Sequence, residues 1–230
     1  MMKRLLVCLL PVALLSCTPY QKITYPTKDI SVTSPEKTLP IMVEVRMFND
    51  NRARIAENKV LFSSPQKTKI EGKSVCINSE KFYKKDSVAS QITRILVEHF
   101  NKAGLFKQTF YKENSLSGYY MTGTLNSFLG EQQFSTGAAV GSQFGLIGAL
   151  ATAGIKTPGK VVIEIADLKL YKKDGTLVKD FGNFYKEYKD DYKADGYCWC
   201  MYANINDKLK DFNSHLIDKI RSDLTSMNFE

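Results

Sequence analysis

KVVIEIADLKLYKKDGTLVKDFGNFYKEY, residues 160–188, decides the fold. Two runs rich in β-branched and aromatic residues, 160–171 and 177–188, flank Lys173, Asp174, Gly175 and Thr176. Asp-Gly between such runs supplies the positive φ that a tight hairpin turn demands, so two antiparallel strands are expected. Working upstream, residues 105–111 and 118–128 read as two more strands, the second alternating through Tyr120, Thr122, Thr124 and Asn126. Further back, IMVEVRMF at 41–48 sets Ile41, Val43, Val45 and Met47 on one face. It ends at Asn49, Asp50, Asn51 and Arg52, a polar turn. Shorter strand candidates lie at 59–62 and 68–77.

Two segments change period. Asp86 or Ser87 can cap a helix whose Val88, Ile92, Ile95, Leu96 and Phe100 keep helical spacing, with Gly104 as its stop. Near the end, Ile205, Leu209, Phe212, Leu216, Ile220 and Leu224 mark a long amphipathic helix. The order predicts an α+β fold: a mostly antiparallel sheet with two main helices packed on one face, plus a glycine-rich insert at 136–155.

The N-terminus carries an address. MMKRLLVCLLPVALLSC has Lys3 and Arg4 as a positive start, then an apolar core from Leu5 to Leu15 too short to span a bilayer. Leu14-Leu15-Ser16-Cys17 resembles a bacterial lipobox, in which the cysteine thiol is acylated with chains such as palmitate and becomes the mature N-terminus. Residues 1–16 then form a lipoprotein signal peptide, which removes Cys8. Residues 17–40 hold four of the seven prolines and read as a lipidated N-terminus and flexible tether. Residues 41–230 form a single domain of ordinary size.

Processing leaves 30 basic against 24 acidic side chains, a charge of +6. An exported basic protein meets anionic headgroups or polyanionic envelope polymers, and no nucleic acid partner is expected. In an oxidising compartment Cys76 pairs with Cys198 or Cys200, which point to one face if extended. Zinc ranks below a disulfide because no histidine lies near the cluster, while three unpaired buried thiols stay an open reading.

Groups for catalysis are sparse. His99 and His215 sit on the two helices without metal-binding spacing and read as surface or boundary residues. No nucleophile elbow, P-loop or dinucleotide motif occurs, and Asp190-Asp191 reads as solvated surface. The expectation is no enzyme, no cofactor and no metal. Tyr185, Tyr188 and Tyr192 form either a sticky stripe for a partner or glycan, or the half-buried outer face of a hairpin.

The strand ending in Phe48 and Asp50-x-Arg52, the helix closing in Gly104-Leu105-Phe106 and the strand GYYMTGTL together resemble envelope lipoproteins of the YajG type. They also look like the auxiliary lipoproteins of ABC-type lipid transport systems, which share a small α/β fold related to the curli-secretion lipoproteins. The insert ahead of KVVIEIADLKLYKKDGTLV is similar to that of TraT-like surface-exclusion lipoproteins. These resemblances imply no catalytic residues.

The insert carries no charge between Glu131 and Lys156. Gly137, Gly141, Gly145, Ala149 and Ala153 recur at every fourth position, the spacing that lets helix backbones approach closely in membranes. Residues 137–155 are long enough to span a bilayer core as one helix, yet poor in large apolar side chains. A mobile loop, a helix packed on the domain and a membrane helix in an oligomer all stay open. The functional expectation is an outer-membrane-anchored lipoprotein facing the periplasm, an accessory or adaptor in envelope assembly or transport. Its partners are the membrane, through the lipid, and an envelope protein or a second copy. The alternative is an oligomeric, membrane-inserted assembly of the surface-exclusion or export type.

Overall fold

The computed structural model describes residues 21–28, 30, 38–53, 67–70, 73–78, 83, 87–152, 154–194, 198, 200–227 and 229. The signal peptide, Cys17, the strand candidate at 59–62, Ala153 and Trp199 lie outside them. The strands are β1 (Leu39–Val45), β2 (Asn49–Asp50), β3 (Lys67–Ile70), β4 (Lys73–Ile77), β5 (Phe106–Tyr111), β6 (Tyr119–Gln133), β7 (Lys156–Lys172) and β8 (Leu177–Lys193). The helices are α1 (Val88–Ala103), α2 (Thr136–Gln143), α3 (Gly145–Thr152) and α4 (Cys200–Leu224).

The long meander β6–β7–β8 is antiparallel throughout, and it turns from β7 into β8 at Asp174-Gly175. Gly175 has φ +93°, and the Thr176 amide donates to Asp174 Oδ1 at 2.8 Å. Both strands run past the predicted ends, to 17 residues each. On its other edge β6 pairs in turn with β1, β2 and β4, and β5 lies outside β1.

The fold is α+β, but the sheet is mixed where a mostly antiparallel one was expected. β1 runs parallel to β5 and to β6, and β2 parallel to β6. The reason is the long connection from β1 to β5, which passes through β2, β3, β4 and α1 before the chain returns to lie beside β1 in the same direction. Alternating residues in a sequence do not reveal this direction.

Capping explains α1. The Ser87 hydroxyl accepts from the Ser90 amide, and Gly104 ends the helix in the left-handed conformation at φ 62°. Ile92, Leu96 and Phe100 are fully buried, each contributing about 1.5–3 kcal/mol of apolar transfer. On α4 the six predicted positions from Ile205 to Leu224 are all buried. The two helices contact one another, and α4 crosses β6 at Gly130, where an added Cβ would strike the Ile205 side chain. A bulge in β6 between Leu125 and Ser127 shifts the inward residues from Met121 and Leu125 to Phe128 and Gly130. Both halves of this long strand thus face the helices.

β1 needs one correction. Ile41, Val43 and Val45 are buried as the alternation requires, but the strand stops at Val45. Met47 is exposed, and Phe48 enters the core in its place, its amide donating to Thr93 Oγ1 of α1 at 3.2 Å.

Candidate functional site

The segment expected to be a loose tether is fastened at 21–25. Gln21 bridges Tyr83, and Ile23 and Tyr25 are buried in the main core. The Ile23 amide donates to Gln91 Oε1 at 3.2 Å, and Asn206 Nδ2 donates to the Lys22 carbonyl at 3.0 Å. Composition predicted solvation here, because prolines and hydroxyls outnumber apolar residues. Two well-spaced apolar side chains suffice to dock a short stretch when α1 and α4 leave a groove.

Tyr25 is the centre of this contact. Asn213 Nδ2 donates to its hydroxyl at 2.6 Å, and the hydroxyl lies 2.8 Å from His99 Nδ1. With Asn213 donating, the tyrosine proton goes to His99 Nδ1, which accepts only as a neutral imidazole. Burial, then the charge of Lys210, lowers the His99 pKa to about 4. Burial likewise raises the Tyr25 pKa well above its ordinary value, with Glu98 adding to the rise and the Asn213 hydrogen bond opposing it. His99 is therefore an interior residue, not a surface or boundary one. His215 is exposed on α4, beside the Asp211 carbonyl at 2.9 Å.

The sulfurs of Cys76 and Cys198 are bonded, with their Cα atoms 5.6 Å apart at a sequence separation of 122. The shared face assumed for Cys198 and Cys200 is absent. Cys198 takes a left-handed φ of 65°, and Cys200 already starts α4. The bond ties β4 to the chain entering α4.

Close by, the buried Gln132 gathers the end of the meander. Its Nε2 lies 3.1 Å from Thr157 Oγ1, 3.1 Å from the Tyr192 carbonyl and 2.7 Å from the Lys193 carbonyl. Asn204 of α4 donates to its Oε1 at 3.4 Å. This network fixes the root from which the insert rises. An open cleft of about 690 Å³ beside it is lined by Val75, Glu131, Lys160, Lys189, Asp190 and Asp191 among others.

The insert is neither a loop nor one long helix. It folds as α2 and α3, each of eight residues, with a break at Phe144. Ser135 caps α2 by accepting from the Ala138 amide. Gly137 and Gly141 fall on α2, Gly145 and Ala149 on α3, so no single stripe runs through them. Glycines at 141, 145 and 148 each weaken a helix by about 1 kcal/mol relative to alanine, which favours a break where a fold-back contact offsets it. That contact exists: a Cβ on Gly148 would overlap the backbone carbonyl of Gly141, and both residues are buried. Among the described residues no helix is long and apolar enough to cross a membrane. Four large side chains are turned outward instead: Phe144, Ile147 and Leu150 are at least 70 % exposed and Val140 is 49 % exposed.

Other expected residues divide between the faces of the sheet. Tyr188 and Tyr192 lie under Lys208 of α4 at 5.5 and 5.7 Å, while Tyr185 is exposed. The three tyrosines make no common stripe, since positions 185 and 188 differ by an odd number on a strand. Asp190 and Asp191 are exposed, Asp190 standing 4.0 Å from Lys208. Asp50 and Arg52 form a two-pronged ion pair at 2.7 and 2.8 Å. Sequence reasoning missed Glu44, buried on β1. Burial alone would raise its carboxyl, but hydrogen bonds from the Asn114 amide, Arg46 and Ser117, with the Arg46 charge, bring its pKa below the usual range. Among the described residues no group of three or more His, Cys, Asp or Glu is placed to hold a metal ion.

No family model and no curated protein matches the chain. Among solved structures it is similar to a Xanthomonas campestris protein of family DUF330, with 11 % identity over 86 % of this chain and 95 % of that one, at a TM-score of 0.48. It is also similar to a point variant of PelC from Paraburkholderia phytofirmans, solved as a dodecamer (10 % identity, 81 % and 92 % covered, TM-score 0.33). A Caulobacter crescentus protein provisionally named a lipoprotein shares 12 % identity over 59 % of this chain and 82 % of that one, at a TM-score of 0.33. At such values the likeness says nothing about activity.

Proposed function

We propose that the chain is a non-enzymatic envelope lipoprotein, anchored through Cys17 in the outer membrane and facing the periplasm. There it acts as an accessory or adaptor in envelope assembly or transport. The observation that carries this reading is the fastening of Gln21 to Tyr25, which begins four residues after the lipobox cysteine. A chain destined for a long flexible leash gains nothing from burying Ile23 and Tyr25. A body held close to its anchor does. The polar groups inside the fold serve the same end: Tyr25, His99, Asn213 and Gln132 join elements far apart in sequence. The disulfide suits an oxidising compartment.

Labelled palmitate tests the anchor. Label should enter the wild type, which should fractionate with outer membranes, and should be lost in Cys17→Ala together with membrane retention. Equal labelling of both chains would overturn the reading. The oligomeric alternative rests on the exposed apolar side chains of α2 and α3, and a stable ring in detergent would favour it over a monomeric adaptor.

A further inference from the structure

We propose that the α2–α3 hairpin docks on the surface of a lipid bilayer, dipping Phe144, Ile147 and Leu150 among the acyl chains. The proposal rests on the anchor reading above. Three large side chains at least 70 % exposed on one short hairpin form a patch that water does not stabilise. Each helix is about 12 Å long at 1.5 Å per residue, against about 30 Å of hydrocarbon, so neither crosses. An element of this size with apolar side chains on its outer face belongs in the headgroup and upper acyl region.

The place where the N-terminal segment meets the body selects lipid as the occupant. Gln21 bridges Tyr83, whose ring lies 6.2 Å from Phe128 and 5.3 Å from Tyr202. Asn78 connects the same corner to β6, with its Nδ2 3.3 Å from the Tyr83 hydroxyl and its Oδ1 accepting from the Gly130 amide. From Phe128 the strand runs about 17 Å further at about 3.4 Å per residue to Gln133, and α2 follows. In the other direction, Cys17 is four residues from Gln21, a reach of at most about 14 Å. Gln21 thus lies beside the half of β6 that leads into the insert, with four residues of chain back to the acylated position. The Asp174-Gly175 turn lies at the other end, where Lys173 bonds Gly118.

The charges at the root balance. Lys156 and Lys193 are register partners at the foot of the insert, followed at the same parity by Pro158 with Asp191 and then Lys160 with Lys189. Lys160 pairs with Glu131 at 3.3 Å and Lys189 with Glu187 at 2.6 Å, and Asp190 and Asp191 lie on the same strand. Four lysines and four acidic side chains thus ring the root of an uncharged tip, so apolar burial and not charge drives the docking.

The test uses the full acylated chain in vesicles of phosphatidylethanolamine and phosphatidylglycerol, with or without bromine on the acyl chains. Flotation first reports whether the chain binds, and tryptophan emission then reports the tip, read as the difference from the parent chain. Ile147→Trp should shift to the blue and lose roughly half its added emission to brominated lipid. Leu177→Trp, exposed at the far end, should do neither. A chain that floats but shows no quenching at 147, or equal quenching at 177, overturns the docking and leaves the anchor intact. A blue shift without bromine quenching means that a second copy or a fold-back contact covers the tip, and overturns it as well. Failure to float overturns anchor and docking together.

Discussion

Sixteen residues of α1 and sixteen residues shared between α2 and α3 show what sequence does with one length of helix. α1 concentrates its apolar side chains on one face and turns that face inward, leaving Arg94, Glu98 and Asn101 outside. The insert has no polar face to offer. Gly141 and Gly148 pack the two short helices against each other, and Phe144, Ile147 and Leu150 are left in solvent. Hydrophobicity alone does not say which way a helix faces. The presence or absence of charge on the opposite side does.

The largest expected contrast is in truncation. Phe100→Ala removes a fully buried ring and should lower stability by about 4 kcal/mol, whereas Ile147→Ala on the insert should change it by under about 0.5 kcal/mol. Urea unfolding without lipid measures both, and equal losses would mean that the insert is buried in solution.

The cross-link comes next. Cys198→Ser opens a loop of 122 residues and should lower stability by about 3–4 kcal/mol, with a matching loss when the wild type is reduced. Helical content of the insert should survive it.

A third expectation is pH. His99 is held neutral in the fold, with a pKa of about 4 against 6.5 when unfolded, so the unfolded chain binds the extra proton between those values. Stability is therefore full above about pH 6.5 and falls toward pH 4, by on the order of 2 kcal/mol once screening is allowed for. His99→Gln should flatten that part of the profile. Tyr25→Phe leaves Asn213 Nδ2 without its 2.6 Å partner and should cost about 1–2 kcal/mol, with faster tryptic cutting at Lys22 or Lys28. Unchanged cutting would show that Ile23 alone holds the segment.

The smallest effect concerns the fold-back. Gly148→Ala should push α3 away from Gly141, at about 1 kcal/mol or less overall because the insert is a separate unit. Hydrogen exchange confined to 136–152 would register it; exchange spreading into β6 and β7 would contradict that separateness.

These contrasts also measure what the sequence made legible. The turn at Asp174-Gly175, the cap at Ser87, the stop at Gly104 and the inward face of α4 are local patterns, and each lies where local chemistry puts it. Parallel pairing of β1 was not legible, because direction depends on the whole connection from β1 to β5, through β2, β3, β4 and α1. Cys76 was narrowed to two partners. The choice fell to a left-handed residue at 198 that no spacing rule anticipates. Tyr25 was hidden because its partners stand 74 and 188 residues away. The insert's lack of charge was visible, but the break at Phe144 depends on how closely Gly148 approaches Gly141.

The 188-residue gap between Tyr25 and Asn213 also sets an order of events. A chain emerging from its N-terminus presents Tyr25 188 residues before Asn213. Until then the groove under the strap has only one wall, α1. Residues 21–25 stay accessible while the chain is being made and are fastened only after Asn213 is in place. A chain halted before Asn213 would leave that stretch loose for cutting at Lys22, and one that has passed it would hold the backbone still.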